Sequence, residues 1–361
     1  MHWFWTVFFV TLSHFFFCQG KADIFHNLLL DVKCKRGFLG IHHQSMAHLP
    51  RNYANAIEIS IINETAKNKA FQRAFGFPEF GTTFFFGSVG NNTLLGNYVA
   101  LSGFAQFPLL KFREIEWNSK LATGLAYTNK CYQNEPQNIP IGTYINAQIC
   151  LGTQMNYRVK NTEFHLGFDI THFSNAASQL PNYGINVFYL TTGISKKIPT
   201  SRRLDSIIIP SKMKLKKWLI GGTLIGSWKE IWPIGGDKKS VLAGNFYARR
   251  YFNLKSGIEV SLDLIHKSAV YDYLPEIEKT PLDIFQCGIY GAYLIPLERF
   301  HFVFGMGVYI RDKYKPEDPV YHRIGMRYQF DNGLATNITL KTHFGRADYL
   351  EWGLGYTINN R

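Results

Sequence analysis

The feature that most constrains the fold is an alternation of apolar and polar residues that recurs along most of the chain. In the segment 257–265, Val260 and Leu262 fall on one face of an extended chain, whereas Glu259 and Ser261 fall on the other. A period of two residues is that of a β-strand, and Gly, Asn, Asp and Pro punctuate the segments as turn residues do. The sequence therefore predicts an all-β, antiparallel fold.

Two architectures use many such strands, and they differ in what the apolar face meets. In a soluble sandwich that face points inward, whereas in a membrane barrel it meets lipid and the interior takes Gly and polar groups. Here the apolar faces are long and rich in Phe and Leu, and the chain is 16% aromatic but only 18% charged. We expect a transmembrane β-barrel of about 14 strands, within a range of about 12–16. A sandwich, which would be extracted without detergent, is the alternative.

The N-terminus predicts export. Residues 1–20 form an apolar block that reads as a signal peptide, with small residues at Gly20 and Ala22 as candidate cleavage sites. The remaining residues, 21–361, are expected to form one outer-membrane barrel domain. No other segment approaches the roughly 20 apolar residues that a spanning helix requires.

Charge indicates the kind of partner. The net charge is +13 and the pI is near 9.4, which suits anionic lipid or lipopolysaccharide phosphates, while export argues against nucleic acid. The main basic run, 195–217, is expected to be a solvated loop, with a phosphate-binding rim as the alternative.

Metal chemistry is not indicated. The cysteines beyond the predicted signal match no metal-binding spacing. His42 and His43 would point to opposite faces if they lay on a strand, so we expect them, with His48, to have no joint role in binding an ion.

The most informative stretch is "FDITHFSNAASQLPNYGINVFYL", residues 168–190. Alternation places His172 and Ser174 at the end of one lipid-facing row, and Asn186 at the start of the next. A polar loop can close the two strands into a hairpin and bring these side chains together. Ser174 would be the nucleophile, His172 the base, and Asn186 the group that orients His172.

The cost of exposing polar groups to lipid supports that interpretation. Polar side chains facing lipid are unfavourable unless they hydrogen-bond to one another, as a Ser–His–Asn triad would. A polar belt at the membrane interface is the alternative. Because the site would face acyl chains, its natural substrate is an ester of a membrane lipid.

The hairpin "HFSNAASQLPNYGIN" resembles the active site of the lipid A 3-O-deacylase family of outer-membrane barrels. The resemblance implies that His172 and Ser174 are catalytic and that Asn182 helps to form the oxyanion hole. Asn175 is a second candidate, because one well-aimed donor there would stabilise an oxyanion. It places Asn186 where the family has a Glu, which puts the charged form of the triad in doubt.

The same motif is similar to that of outer-membrane phospholipase A, whose third triad member is an Asn. That enzyme's calcium-dependent activation is not visibly encoded, because Ala177 stands where its calcium-associated Arg would be. The length of the chain resembles that of the acyloxyacyl hydrolase-like proteins. The family implies a lipolytic serine hydrolase of the bacterial outer membrane that removes ester-linked acyl chains from lipid A.

Two other functions stay open at this point: a phospholipase A acting on glycerophospholipids, and a non-catalytic barrel such as a porin, transporter or scaffold. We expect no cofactor and no metal, with calcium dependence unindicated. The expected partners are a membrane lipid substrate and, as one option, a second copy of the chain in a homodimer.

Overall fold

The computed structural model describes residues 27–65, 69–198, 211, 213–273, 275–315 and 317–358. The predicted signal peptide, residues 1–20, lies outside these ranges. Along the described part of the chain, no helix is long and apolar enough to cross a membrane. The chain divides into two compact units, each built around one closed antiparallel barrel.

The first barrel contains eight strands in chain order, and β8 pairs with β1 to close it. A 3-10 turn, Gln44–Met46, follows β1, and a short helix α1, Ala70–Ala74, follows β2. The strands are β1 Asn27–Gly40, β2 Ala54–Glu64, β3 Glu79–Ser88, β4 Asn97–Phe112, β5 Ile115–Thr128, β6 Ile145–Val159, β7 Thr162–Ser174 and β8 Ile185–Ile198.

The second barrel also contains eight strands, closed by pairing of β16 with β9. A 3-10 turn, Ser268–Asp272, follows its third strand. The strands are β9 Trp218–Glu230, β10 Lys238–Tyr251, β11 Gly257–Lys267, β12 Phe285–Leu297, β13 Phe300–Arg311, β14 Val320–Gln329, β15 Leu334–His343 and β16 Arg346–Ile358.

The prediction of an all-β membrane-type barrel is confirmed, but the single barrel of about 14 strands is wrong. The described residues form 16 strands, and these close into two barrels of eight. Alternation shows which face of the sheet each side chain lies on, but it does not show which strands pair to close a barrel. The basic run 195–217 begins inside β8, and its residues 199–210 lie outside the described ranges.

The predicted strand faces are confirmed in β11. Glu259, Ser261 and Asp263 are buried inside the second barrel, whereas Val260 and Leu262 are exposed on its outer wall. Apolar outside and polar inside is the arrangement of a membrane barrel, and an eight-stranded barrel is just wide enough for side chains to fill it.

Buried ion pairs fill much of both interiors. In the first barrel, the Lys35 ammonium lies 2.9 Å from carboxylate oxygens of both Glu58 and Asp169, and Lys120 lies 3.0 Å from Glu58. In the second, Arg323 pairs with Asp263 and Glu351. These pairs compensate charges that would otherwise be costly to bury.

An apolar cluster closes one end of the first barrel. That end carries most of the longer connections, 41–53, 89–96, 129–144 and 175–184, whereas the other end has the tight turns 113–114 and 160–161 and the longer β2–β3 connection that contains α1. The cluster combines loop residues with inward-facing strand residues, among them Met46, Leu49, Val89, Leu95, Ile141, Phe173 and Ile185. It gives the rim at this end a rigid base.

Candidate active site

The predicted site lies at the longer-loop end of the first barrel, where β7 ends and β8 begins. Phe173 is fully buried, with its ring centroid 4.6 Å from that of Tyr98 and 5.8 Å from that of Phe85. Because successive strand residues point to opposite faces, this inward anchor turns His172 and Ser174 outward. Both side chains are half-buried on the outer wall.

The structure brings His172, Ser174 and Asn186 into one hydrogen-bonded row. His172 pairs with Asn186 across β7 and β8. Its Nδ1 lies 2.7 Å from Asn186 Oδ1, and its Nε2 lies 2.9 Å from Ser174 Oγ. An amide oxygen only accepts, so Nδ1 carries the proton, and Nε2 of the neutral ring accepts from the serine hydroxyl. The geometry is that of a nucleophile beside a general base.

A fourth side chain, which the sequence did not single out for this site, joins the row. His42 lies in the loop 41–53 after the end of β1, and not on a strand. Its Nδ1 lies 3.2 Å from Asn186 Nδ2, and its Nε2 lies 2.9 Å from the Tyr183 carbonyl oxygen. The fact that β1 pairs with β8 as well as β2 was the missing signal, because it sets Gly40 opposite Asn186.

The two oxyanion candidates bind each other within the loop 175–184. The backbone N–H of Asn175 donates to Asn182 Oδ1 at 3.0 Å. This bond uses the Asn182 side-chain oxygen, and the other end of that amide is an NH2 donor. Ala176 and Ala177, which follow, have φ angles of 55° and 60°, a left-handed conformation that is costly for residues other than glycine.

Gly184 determines how closely this loop approaches the histidine. Its φ is +77°, and a Cβ atom there would lie 2.7 Å from His172 Cε1. Its N–H donates to the Pro140 carbonyl at 3.0 Å, which ties the loop to the neighbouring connection 129–144. A glycine is therefore required here by both conformation and space.

An aromatic strip lies beside the triad on the outer wall. Phe188 is the next residue after Asn186 on the outer face of β8. Its ring stacks on Phe38 at 5.5 Å and on Phe168 at 6.3 Å between centroids. Phe38 and Phe168 are exposed. The strip offers an apolar surface beside the polar row.

Three side chains of types that can bind a metal ion lie together in the second barrel. Atoms of Glu317, His343 and Asp348 lie within 4.8 Å of one another. However, the Lys267 ammonium lies 2.8 Å from Glu317 and 2.9 Å from Asp348, and Lys229 also pairs with both carboxylates. Two ammonium groups already supply the positive charge that an ion would bring, so the donor set does not fit a metal.

Two family models match the sequence. Residues 62–195 match the model of lipid A 3-O-deacylase (PagL), and residues 218–360 match that of the acyloxyacyl hydrolase C-terminal domain. The first match covers most of the first barrel, including the His172 hairpin, and the second covers the second barrel. A search of curated protein sequences finds no match.

Several solved structures are similar to the chain. The outer membrane enzyme PagL has 18% identity and a TM-score of 0.32, over 47% of this chain and 99% of that one. Neisserial surface protein A has 9% identity and a TM-score of 0.33, over 48% and 99%. A mutant of the Rh. blastica porin has 10% identity and a TM-score of 0.20, over 92% and 100%.

The two family matches together span most of the chain and agree with the motif, the lipid-type outer walls and the barrel fold. The chain is therefore an outer-membrane β-barrel protein whose first barrel matches the lipid A 3-O-deacylase family and whose second barrel matches the acyloxyacyl hydrolase C-terminal domain.

Proposed function

We propose that the first barrel is a serine esterase that removes an ester-linked fatty acyl chain from lipid A. The observation that carries this proposal is the continuous row of hydrogen bonds from Ser174 through His172 to Asn186 on an outer wall of lipid-facing residues. The family match supports the substrate class, and the 3-O ester named in its description is the first candidate bond.

In this mechanism Ser174 Oγ attacks the ester carbonyl carbon while His172 Nε2 takes the hydroxyl proton. The tetrahedral intermediate collapses, the bond to the lipid A oxygen breaks, and His172 returns the proton to that leaving oxygen. Water, activated by the same nitrogen, then hydrolyses the acyl-Ser174 ester and releases the fatty acid. Asn186 holds the His172 ring and its tautomer, without the charge that a carboxylate would add.

Asn182 is the stronger of the two oxyanion candidates. The Asn175 N–H already donates to Asn182 Oδ1, and that bond fixes the Asn182 amide by its oxygen. The donor end of the amide is the chemistry that a developing oxyanion requires. Asn175 would then act mainly by orienting Asn182.

The surroundings of the site suit a substrate that never leaves the membrane. The aromatic strip of Phe38, Phe168 and Phe188 would contact the acyl chain while Ser174 reaches its ester. Longer loops mark the outward-facing end of a bacterial barrel, and the site lies at that end. The filled interior of the barrel favours an enzyme over a porin.

The test is fatty acid release by the detergent-purified protein and its Ser174→Ala variant. Each is incubated with lipid A and, separately, with phosphatidylethanolamine. Release from lipid A that is lost in the variant is the expected result. Release from phosphatidylethanolamine alone would make the protein a phospholipase A, and no release from either lipid would leave a non-catalytic barrel. Light scattering on the same sample tests the predicted option of a homodimer.

A further inference from the structure

We propose that His42 is a positioning residue that fixes the orientation of the Asn186 amide, and through it the reactive tautomer of His172. The inference rests on the proposed function, since it assigns a fourth member to the same row. It is carried by two contacts: Asn186 Nδ2 to His42 Nδ1 at 3.2 Å, and His42 Nε2 to the Tyr183 carbonyl oxygen at 2.9 Å.

The donors and acceptors of the row allow one arrangement. The Tyr183 carbonyl only accepts, so His42 Nε2 carries the proton and Nδ1 of the neutral ring accepts. An amide nitrogen only donates, so Asn186 Nδ2 turns towards His42 and Oδ1 turns towards His172. His172 Nδ1 therefore carries the proton, and Nε2 is free to accept from Ser174.

An asparagine needs such a partner, whereas a carboxylate does not. Both oxygens of a carboxylate accept, so either side can face the histidine. The two ends of an amide differ, and a flipped Asn186 would present its NH2 to His172 Nδ1. Nδ1 would then have to accept, the proton would move to Nε2, and His172 could no longer act as a base towards Ser174. His42 disfavours that flip because its own Nδ1 requires a donor.

Two features of the fold fix the position of His42. It follows β1 by two residues, and Gly40 at the end of β1 pairs with Asn186 on β8. On the other side its partner Tyr183 is braced by the ring of His43, at 4.7 Å between centroids. The position is thus set by backbone pairing and by a loop contact.

Two substitutions separate this role from general support of the loop. In His42→Asn, a side-chain oxygen can replace Nδ1 as the acceptor for Asn186. In His42→Gln, the longer amide can keep the bond to the Tyr183 carbonyl while offering nothing at the Nδ1 position. The heat-dependent shift of a folded barrel on SDS gels checks that each full-length variant folds.

The readout is the rate at which a fluorophosphonate probe labels Ser174, measured beside kcat and KM for lipid A. Labelling forms a Ser174 Oγ–P bond, expels fluoride and passes the hydroxyl proton to His172, so it reports on the base without needing the natural substrate. We expect His42→Gln to slow labelling and kcat by roughly tenfold at unchanged KM, the size expected of one hydrogen bond. His42→Asn should retain most of the wild-type rate.

A double-mutant comparison completes the test. In an Asn186→Asp background no amide has to be oriented, so His42→Gln should cost little there. Equal labelling rates for wild type and His42→Gln, or the same loss in both backgrounds, would overturn the inference. If labelling follows the expected pattern but no acyl chain leaves lipid A, the positioning role holds and the proposed substrate is wrong.

Discussion

At the scale of single residues, Asn186 stands where the lipid A 3-O-deacylase family has a glutamate, and the difference is one negative charge. An amide can fix the tautomer and direction of His172 but cannot stabilise the imidazolium by charge. The structure supports the amide with a second histidine, His42. The hydrogen bond to Asn186, which His42 holds in turn, therefore orients the His172 ring, but no carboxylate stabilises its charged form.

Asn182 carries the first prediction. In Asn182→Asp, the new side chain can still accept from the Asn175 N–H, but it has no donor for an oxyanion. We expect kcat for lipid A to fall roughly 100-fold, which is the usual cost of one oxyanion donor. Fatty acid release under saturating substrate measures it.

The matched control is Asn134→Asp. Asn134 caps another loop of the same barrel by accepting from the Cys131 N–H at 2.9 Å. Its substitution changes the charge without touching the hairpin, so kcat should stay near wild type. A wild-type kcat in Asn182→Asp would remove Asn182 from the mechanism.

Gly184 carries the second prediction. In Gly184→Ala, a methyl group would lie 2.7 Å from His172 Cε1, so the ring must shift from its position between Asn186 and Ser174. We expect kcat to fall by at least about tenfold, because small misplacements of a catalytic group are costly.

Gly345→Ala is the control for the effect of backbone strain alone. Gly345 has a similar φ, +86°, but nothing lies within 4 Å of its added Cβ. Both variants suffer the left-handed strain and only one crowds the histidine. Equal activities in the two would show that His172 does not depend on the space at Gly184.

At the scale of elements, the β7–β8 hairpin could be read from the sequence and the site's wider surroundings could not. Alternation placed His172, Ser174 and Asn186 on outward faces because a strand's period is local. His42 was missed because it reaches Asn186 through the pairing of β1 with β8, strands that are far apart in the chain. The use of the Asn182 oxygen by Asn175 likewise depends on the loop's three-dimensional path.

The charged interior of the first barrel carries the third prediction. Glu58 on β2 accepts from Lys35 on β1 and Lys120 on β5, all buried. Glu58→Ala leaves two ammonium groups without this partner and should lower the free energy of unfolding by about 3–5 kcal/mol. Urea unfolding in lipid vesicles, followed by tryptophan fluorescence, measures the loss.

Ser60→Ala, on the same strand and the same inner face, is the comparison. Ser60 loses one neutral hydrogen bond of 2.9 Å to Thr83, worth about 1 kcal/mol. If both variants lose the same free energy of unfolding, the ion pairs are not what stabilises the interior.

At the scale of the whole molecule, the number of barrels could not be predicted from the sequence. Every hairpin shows the same alternation, and closure is decided by non-local pairing such as that of Leu354 on β16 with Leu224 on β9. A chain with 16 similar strands can close once or twice with the same local pattern. The lipid-facing character of the walls was predictable because it is a property of single residues.

The second barrel carries the fourth prediction. Leu224, at the middle of β9, is 72% exposed on the outer wall. In a bilayer, Leu224→Arg should lower the free energy of unfolding by about 2–4 kcal/mol, whereas Ile358→Arg at a strand end should cost only about 0–1 kcal/mol. Vesicle unfolding curves decide, and two equally harmless substitutions would indicate that this wall faces water.

The most direct test of the central claim is the mass of lipid A held in bilayer vesicles with the full-length protein. After incubation with wild type, mass spectrometry should show lipid A lighter by one ester-linked acyl chain, while vesicles holding Ser174→Ala keep the full mass. Unchanged lipid A with the folded wild type, or the same loss with Ser174→Ala, would contradict the assignment of a Ser174-dependent deacylase to this outer wall.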